Sequence, residues 1–535
     1  MRSANSAVEK IERREFLSLC AAGMLPGVLA ACGSGTSDAS TTTPTASVRP
    51  SPTAQPSPNT ADWSALAAQM QGTLVRPNNP QYATARQLFS PAFDNVQPAA
   101  IAYCASPADV QNCLSFARRF GIAVAPRSGG HSYAGYSTTT GIVLDMTRMN
   151  SVKVEAGTAI VGGGARLIDV YATLTQQGLI LPAGSCPSVG VAGLTLGGGH
   201  GVLGRKFGLT CDNLLSAQVV LADGRVVTCD AQREPDLFWG LRGGGGGNLG
   251  VVTSFTFQTH AVPSLTLFTL RWPWSSAATV VNAWQHWGPQ GPDEIWSNCL
   301  LATSEKGSAP IVQVNGVYVG NVAALNAQLQ KLTNQIGVAP TLDYVSGVGV
   351  LDAMLYEAGC YGKTVNQCHL PTQDPQGQVQ REAASVKSDY FTKPLSQQGI
   401  HNLLTAIEHR QSSSTLGNGG IGLDSYGGAI NRVAADATAF VHRDALFSAQ
   451  YSGSWQAGDA SAIVSANHAW LTDTWKSMRS SASGFSYQNY VDPDLSNWQQ
   501  AYYGSNLARL QRVKATYDPS NFFHFAQSIP LAEGK

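Results

Sequence analysis

Four short stretches of the chain carry side chains that could do chemistry. Arg127-Ser128-Gly129-Gly130-His131-Ser132-Tyr133 ends a glycine-containing loop in an imidazole and a phenol. Cys186-Pro187-Ser188-Val189-Gly190 offers a thiol, and Gly197-Gly198-Gly199-His200-Gly201 follows closely. Tyr487-Gln488-Asn489-Tyr490 sets two phenols three residues apart. A thiol is a nucleophile only as its thiolate, which needs a depressed pKa or a nearby positive field. A phenol, with an ordinary pKa of ~10, is a base only where donors or cations stabilise its phenolate. The glycines come in clusters, including five in a row at 243–247. Such runs bring bare backbone N–H groups close to something bulky and anionic, such as a pyrophosphate.

Two glycine patterns mimic a dinucleotide fingerprint, Gly199-x-Gly201-x-x-Gly204 and Gly245-x-Gly247-x-x-Gly250. A true fingerprint follows a strand, opens a helix and has an acid about 20 residues on. The first follows more glycine-rich loop, and Asp223, the nearest acid, belongs to a hairpin turn. The second runs straight into a β-branched strand. Neither reads as a Rossmann site.

The elements that must hold these loops are legible around them. Ile101–Cys104 reads as a strand, and Ser106-Pro107-Ala108-Asp109 as a capped helix start. Val110, Cys113, Leu114 and Ala117 then share one helical face. Ile122–Pro126 is the strand that feeds the His131 loop. Thr158–Gly162 reads as a strand and Leu167–Gly178 as a helix. Residues 218–227 form a hairpin on Asp223-Gly224, and Val251–Thr259 is a further strand. Farther on, Ala323–Gln335, Leu395–Arg410 and Ser461–Ser480 read as helices and Ile311–Val319 as a strand.

With 535 residues and 43% apolar content the chain can bury a large core. Charged residues are only 13%, and 34 Lys+Arg balance 34 Asp+Glu. That balance argues against nucleic acid as a partner. Arg13-Arg14 followed by an apolar stretch reads as a twin-arginine export signal. Leu29-Ala30-Ala31-Cys32 resembles a lipobox, so residues 1–32 read as a signal with Cys32 lipidated. Residues 33–61, rich in Ser, Thr and Pro, read as a disordered tether. No later stretch is long and apolar enough to span a membrane. Cys360 and Cys368, close together and flanked by loop signals, are expected to pair. Cys104, Cys113, Cys211 and Cys229 sit in apolar elements and read as core. The ten histidines show no metal-ligand spacing.

The His131 and Cys186 loops, with Gly197–Gly201, resemble the flavin-linking loops of the berberine-bridge-enzyme-like FAD-linked oxidases. These form a branch of the vanillyl-alcohol-oxidase (PCMH-type) FAD-binding family. Tyr487-Gln488-Asn489-Tyr490 resembles the branch's Tyr-x-Asn-Tyr element. Tyr517-Asp518-Pro519-x-Asn521-x-Phe523 and Gln527-Ser528-Ile529-Pro530 resemble its closing motif. Gly427-Gly428-Ala429, His442-Arg443 and Gln450-Tyr451 stand between in the same order.

The resemblance implies an α+β fold. A two-subdomain FAD-binding domain spans 62–262 and is completed by the C-terminal segment 485–535. A substrate domain, 263–484, is antiparallel sheet backed by helices. It implies FAD held by two covalent bonds, His131 to the 8α-methyl carbon and Cys186 to ring carbon 6. The oxidised flavin is electron-poor, so a neutral imidazole or a thiolate can add to it. Around these it places Arg127, Ser128, Gly129, Gly130, Ser132, Val189, Gly190, Gly193, Gly198, Gly199 and Gly201 at the cofactor. Asn248, Gly250, Val252, Asn521 and Phe523 join them. Tyr490 falls on the position of the base, with Tyr487, Tyr133 and Gln450 lining the active site. His200, also at the cofactor, stands where many relatives carry Tyr, which leaves its role open. Val189 falls on the position that gates oxygen.

The resulting expectation is an exported, lipid-anchored, monomeric flavoprotein. It oxidises a small-molecule alcohol or sugar, uses oxygen as acceptor, and touches the membrane through its N-terminal lipid only. Two alternatives stand beside it: a dehydrogenase passing electrons to a quinone or redox protein, and a non-catalytic surface binding lipoprotein.

Overall fold

The computed structural model describes residues 61–261 and 264–532. The twin-arginine motif, Cys32 and the tether as far as residue 60 lie outside these described residues.

The helix Pro107–Phe120 forms where its caps dictate. The Ser106 side chain accepts from the Asp109 N–H, and Gly121 ends the helix at a φ of 64°. Its buried face, Val110, Cys113, Leu114 and Ala117, packs on a four-stranded sheet. The strand order is Thr73–Val75, Ala100–Tyr103, Ile142–Asp145, Val124–Arg127. The last three run parallel. At their C-terminal ends Arg127 Nε donates to Asp145 Oδ2 at 2.6 Å, both side chains buried. That pair fixes the point from which the His131 loop departs.

A five-stranded antiparallel sheet follows, ordered Val152–Glu155, Thr158–Gly162, Val251–Gln258, Leu214–Val220, Val226–Asp230. The hairpin between the last two turns at Gly224, whose φ is 90°. The helix Leu167–Thr175 covers this unit with Leu167, Val170, Tyr171 and Leu174. It stops short of the expected Gly178, which instead turns the chain at a φ of 69°.

The third sheet is antiparallel and seven-stranded. Its order is Leu342–Val348, Leu265–Trp272, Ile311–Val319, Ile295–Ala302, Gly419–Ser425, Phe447–Trp455, Ala383–Phe391. Alternate residues face opposite sides. Phe268, Cys299, Val314, Leu423 and Phe447 go into a core closed by helices Ala277–Gln290, Val322–Ile336, Gln397–Ser412 and Ser461–Ser477. The other face is polar where it lines a cavity, with Asn298, Asn315, Asp424 and Gln450, and apolar at Leu265, Leu267, Trp296 and Val317, which pack against the rest of the molecule. The fold is thus mixed helix and sheet.

The end of the chain returns to the first two sheets. Phe523 is buried among residues of both. The Ile529 N–H donates to Asn248 Oδ1 at 2.8 Å, and buried Lys514 donates to the Asn248 carbonyl at 2.8 Å. Cys360 and Cys368 form a disulfide with Cα atoms 5.8 Å apart, while Cys104, Cys113, Cys211 and Cys229 are buried free thiols.

Candidate active site

The loops of the first two sheets and the polar face of the third enclose a cavity of about 520 Å³. His131 and Tyr133 reach it from the loop after Val124–Arg127. Cys186 and Val189 reach it from the loop before helix Val191–Leu196, and Tyr487 and Tyr490 from the C-terminal segment. Gln450 comes from the third sheet. Arg127 to Gly130, Ser132, Gly190, Gly193, His200, Gly201, Asn248, Gly250 and Val252 also line it.

Four expected residues stand behind the wall instead. Gly198 is pressed on by the Phe440 ring, and the Gly199 N–H donates to Tyr487 Oη at 3.0 Å. Phe523 is core, and Asn521 sits in a C-terminal turn at a φ of 51°. None of them lines the cavity.

The glycines do distinct work. A Cβ on Gly129 would lie 2.1 Å from the Gly190 nitrogen, so the His131 and Cys186 loops meet backbone to backbone. His131 Nε2, 2.9 Å from Ser188 Oγ, ties the same loops together. Gly193 and Gly246 are different. A Cβ on Gly193 would meet nothing within 4 Å, and one on Gly246 only the Gly193 Cα at 3.8 Å. Both line the cavity, so bare main chain fronts open space there and leaves a slot.

Electrostatics sort the reactive groups. His131 stacks on Phe89 with centroids 4.0 Å apart. Burial, then Arg166, pushes its pKa down to about 3, so the ring is neutral. The Cys186 side chain is exposed on the cavity wall. Desolvation, then Glu382, pushes its pKa up, so the surrounding protein holds it protonated. Burial raises Tyr487 to about 12, against the tempering donors Asn489 Nδ2 and the Gly199 N–H. Burial, then Asp424 and neighbouring phenols, holds Tyr490 well above the ordinary tyrosine value. Tyr133 is raised by burial too, although Gln450 Nε2 donates to its oxygen at 3.3 Å.

Asp424 joins this site without a motif of its own in the sequence. It lies on Gly419–Ser425, lines the cavity, and accepts from Asn298 Nδ2 at 2.6 Å. Burial raises its pKa, and His200 pulls the other way. Its one sequence signal is an acid on the off-phase of the Ile421-x-Leu423 alternation. His200 Nε2 lies 2.9 Å from Tyr490 Oη, which joins two residues 290 positions apart in the chain.

Comparison with known proteins agrees with this geometry. Residues 98–230 match an FAD binding domain, and residues 486–530 match a berberine and berberine-like domain. An uncharacterized FAD-linked oxidoreductase of Bacillus subtilis is 33% identical over 469 residues, 86% of this chain and 97% of that protein. Chitooligosaccharide oxidase of Gibberella zeae is 34% identical over 457 residues, 81% of this chain and 87% of that protein. Among solved structures, Physcomitrella patens BBE-like 1 superposes with a TM-score of 0.79 at 33% identity, covering 88% of this chain and 99% of that one. The bare slot at Gly193 and Gly246, with a neutral imidazole and a thiol on the same cavity, fits FAD. On this evidence the chain belongs to the berberine-bridge-enzyme-like FAD-linked oxidoreductases.

Proposed function

We propose that this protein is an exported, lipid-anchored flavoprotein oxidase acting on an alcohol or hemiacetal carbon. The substrate is a sugar, an oligosaccharide or a secondary-metabolite alcohol, and oxygen is reduced to hydrogen peroxide. The observation that carries the reading is a convergence in one cavity. His131 and Cys186 face it from one side, and Tyr490, Tyr133 and Gln450 face it together with the polar sheet.

FAD, when bound, supplies the hydride acceptor. His131 and Cys186 would hold it covalently, and Gly193 with Gly245–Gly247 would cradle its phosphates. Residues 62–262 with 485–535 form the cofactor domain in this reading, supported by the clasp of Lys514 and Ile529 on Asn248. Residues 263–484 present the substrate surface. Asn298, Asn315 and Gln450 suit a polyhydroxylated ligand, because each amide both donates and accepts. The similarity to a protein named chitooligosaccharide oxidase points the same way. The protein works as a monomer, tied to the membrane only through Cys32.

The test is an anaerobic reductive titration with glucose, cellobiose, chitobiose and coniferyl alcohol, followed by flavin bleaching. Bleaching by at least one, with peroxide formed on readmitting air, is expected. Bleaching without peroxide would make the protein a dehydrogenase with another acceptor. A colourless purified protein would make it a binding lipoprotein.

A further inference from the structure

We propose that His200 receives the proton of Tyr490, so that the reaction's proton acceptor is a histidine reached through a phenol. The inference rests on the alcohol-oxidation reading above and deepens it. His200 Nε2 and Tyr490 Oη are 2.9 Å apart, within direct proton-transfer reach, and both line the cavity.

The surroundings of Tyr490 disfavour its phenolate. Burial, then Asp424 and the phenols of Tyr133, Tyr487 and Tyr426, all oppose its ionisation. It can take a substrate proton only as it gives up its own. His200 can accept that proton, since burial keeps its imidazole neutral at pH 7 and so leaves one ring nitrogen with a lone pair. The groups facing His200 come from two segments, 487–490 and 424–426. Tyr490 and Tyr487 lie at centroid distances of 5.7 and 5.2 Å, and Tyr426 at 5.9 Å. Asp424 acts on it from the sheet and favours the imidazolium. Asn298 Nδ2, donating to Asp424 at 2.6 Å, keeps that carboxylate in place.

The balance closes. The substrate O–H proton passes to Tyr490 Oη as the Tyr490 proton passes to His200 Nε2. FAD, when bound, would take the carbinol hydrogen as hydride, and the oxygen's electron pair closes the C=O bond. The imidazolium beside Asp424 then returns its proton to solvent.

His200→Gln separates relay from positioning, because an amide can hold the Tyr490 hydroxyl but cannot take its proton. The expected result is a ~100-fold or greater loss in the anaerobic flavin-reduction rate with the fastest of cellobiose, chitobiose, glucose or coniferyl alcohol. Flavin content and melting temperature should stay unchanged. The wild-type rate should fall as pH drops through a His200 pKa below the ordinary ~6.5, and the variant should lose that acid limb. A Gln variant that reduces its flavin at the wild-type rate, or keeps the limb, overturns the proposal and leaves the oxidation reading intact. A second readout needs no substrate. In ¹⁵N-histidine-labelled protein, assigned by difference from His200→Gln, Nε2 should be unprotonated at neutral pH. An Nε2 that carries a proton there, and so donates to Tyr490, overturns the relay. If none of the four probes bleaches the flavin, the oxidation reading fails, and with it the relay that rests on it.

Discussion

Gly129 and Gly190 touch through their main chains. A methyl group on Gly129 would lie 2.1 Å from the Gly190 nitrogen, and one on Gly190 would lie 2.1 Å from Ser128 Oγ. This contact sets the spacing between the loop that carries His131 and the loop that carries Cys186. It explains why both loops need glycine at positions where neither backbone has a positive φ.

Gly129→Ala should therefore force the two loops apart. The expected cost is about 1–3 kcal/mol of stability, typical of overpacking at a rigid contact. Calorimetry should show a lower melting temperature, and absorbance should show less flavin retained per protein. An unchanged melting curve would mean that the loops shift freely.

The proposed covalent attachment has a colour test. Denatured wild-type protein should stay yellow. His131→Ala and Cys186→Ala should each keep flavin through the remaining bond, and the double variant should release it on denaturation. Free FAD from acid-precipitated wild type would refute covalent linkage.

Val189 lies on the cavity wall between the Cys186 loop and helix Val191–Leu196. Its short, stiff side chain keeps its methyls near the backbone. Val189→Leu should slow reoxidation of the reduced enzyme by oxygen while sparing flavin reduction. Stopped-flow mixing of reduced protein with oxygenated buffer separates the half-reactions. Sluggish reoxidation already in wild type would favour the dehydrogenase reading.

His369 Nε2 lies 3.0 Å from Asp169 Oδ1, and this pair joins the disulfide segment to helix Leu167–Thr175. The hydrogen bond to Asp169 is the largest influence on His369 and raises its pKa above the ordinary histidine value. A raised folded pKa gives stability that is complete below the unfolded value of ~6.5 and is lost as pH rises through the folded value. Asp169→Asn should remove about 1 kcal/mol at pH 5.5 and little at pH 9. Denaturant melts at the two pH values check the sign. An equal loss at both would assign the effect to packing.

Part of this protein was legible from chain-local signals. The capped helix at Ser106, the Asp223-Gly224 hairpin and the strand Ile311–Val319 depend on neighbours within a few residues, and they form as read. The loops that line the cavity were legible for the same reason, because His131, Cys186 and Tyr490 each sit inside a short run of distinctive spacing. The state of those groups was not. The need for an ionised Cys186 and Tyr490 could be stated from chemistry, yet in the folded protein desolvation pushes both the other way. Desolvation is set by the atoms that surround a group in space, and the sequence does not list them. His200 and Tyr490 are 290 positions apart in the chain, and Asp424 comes from a third segment, so their meeting has no local signature. The sequence by itself determined which side chains were available and which loops carry them. Only the tertiary structure decided which of them share a cavity, which stand behind its wall, and where a proton on Tyr490 can go. Those depend on long-range sheet register and burial, which no short stretch of the chain encodes alone.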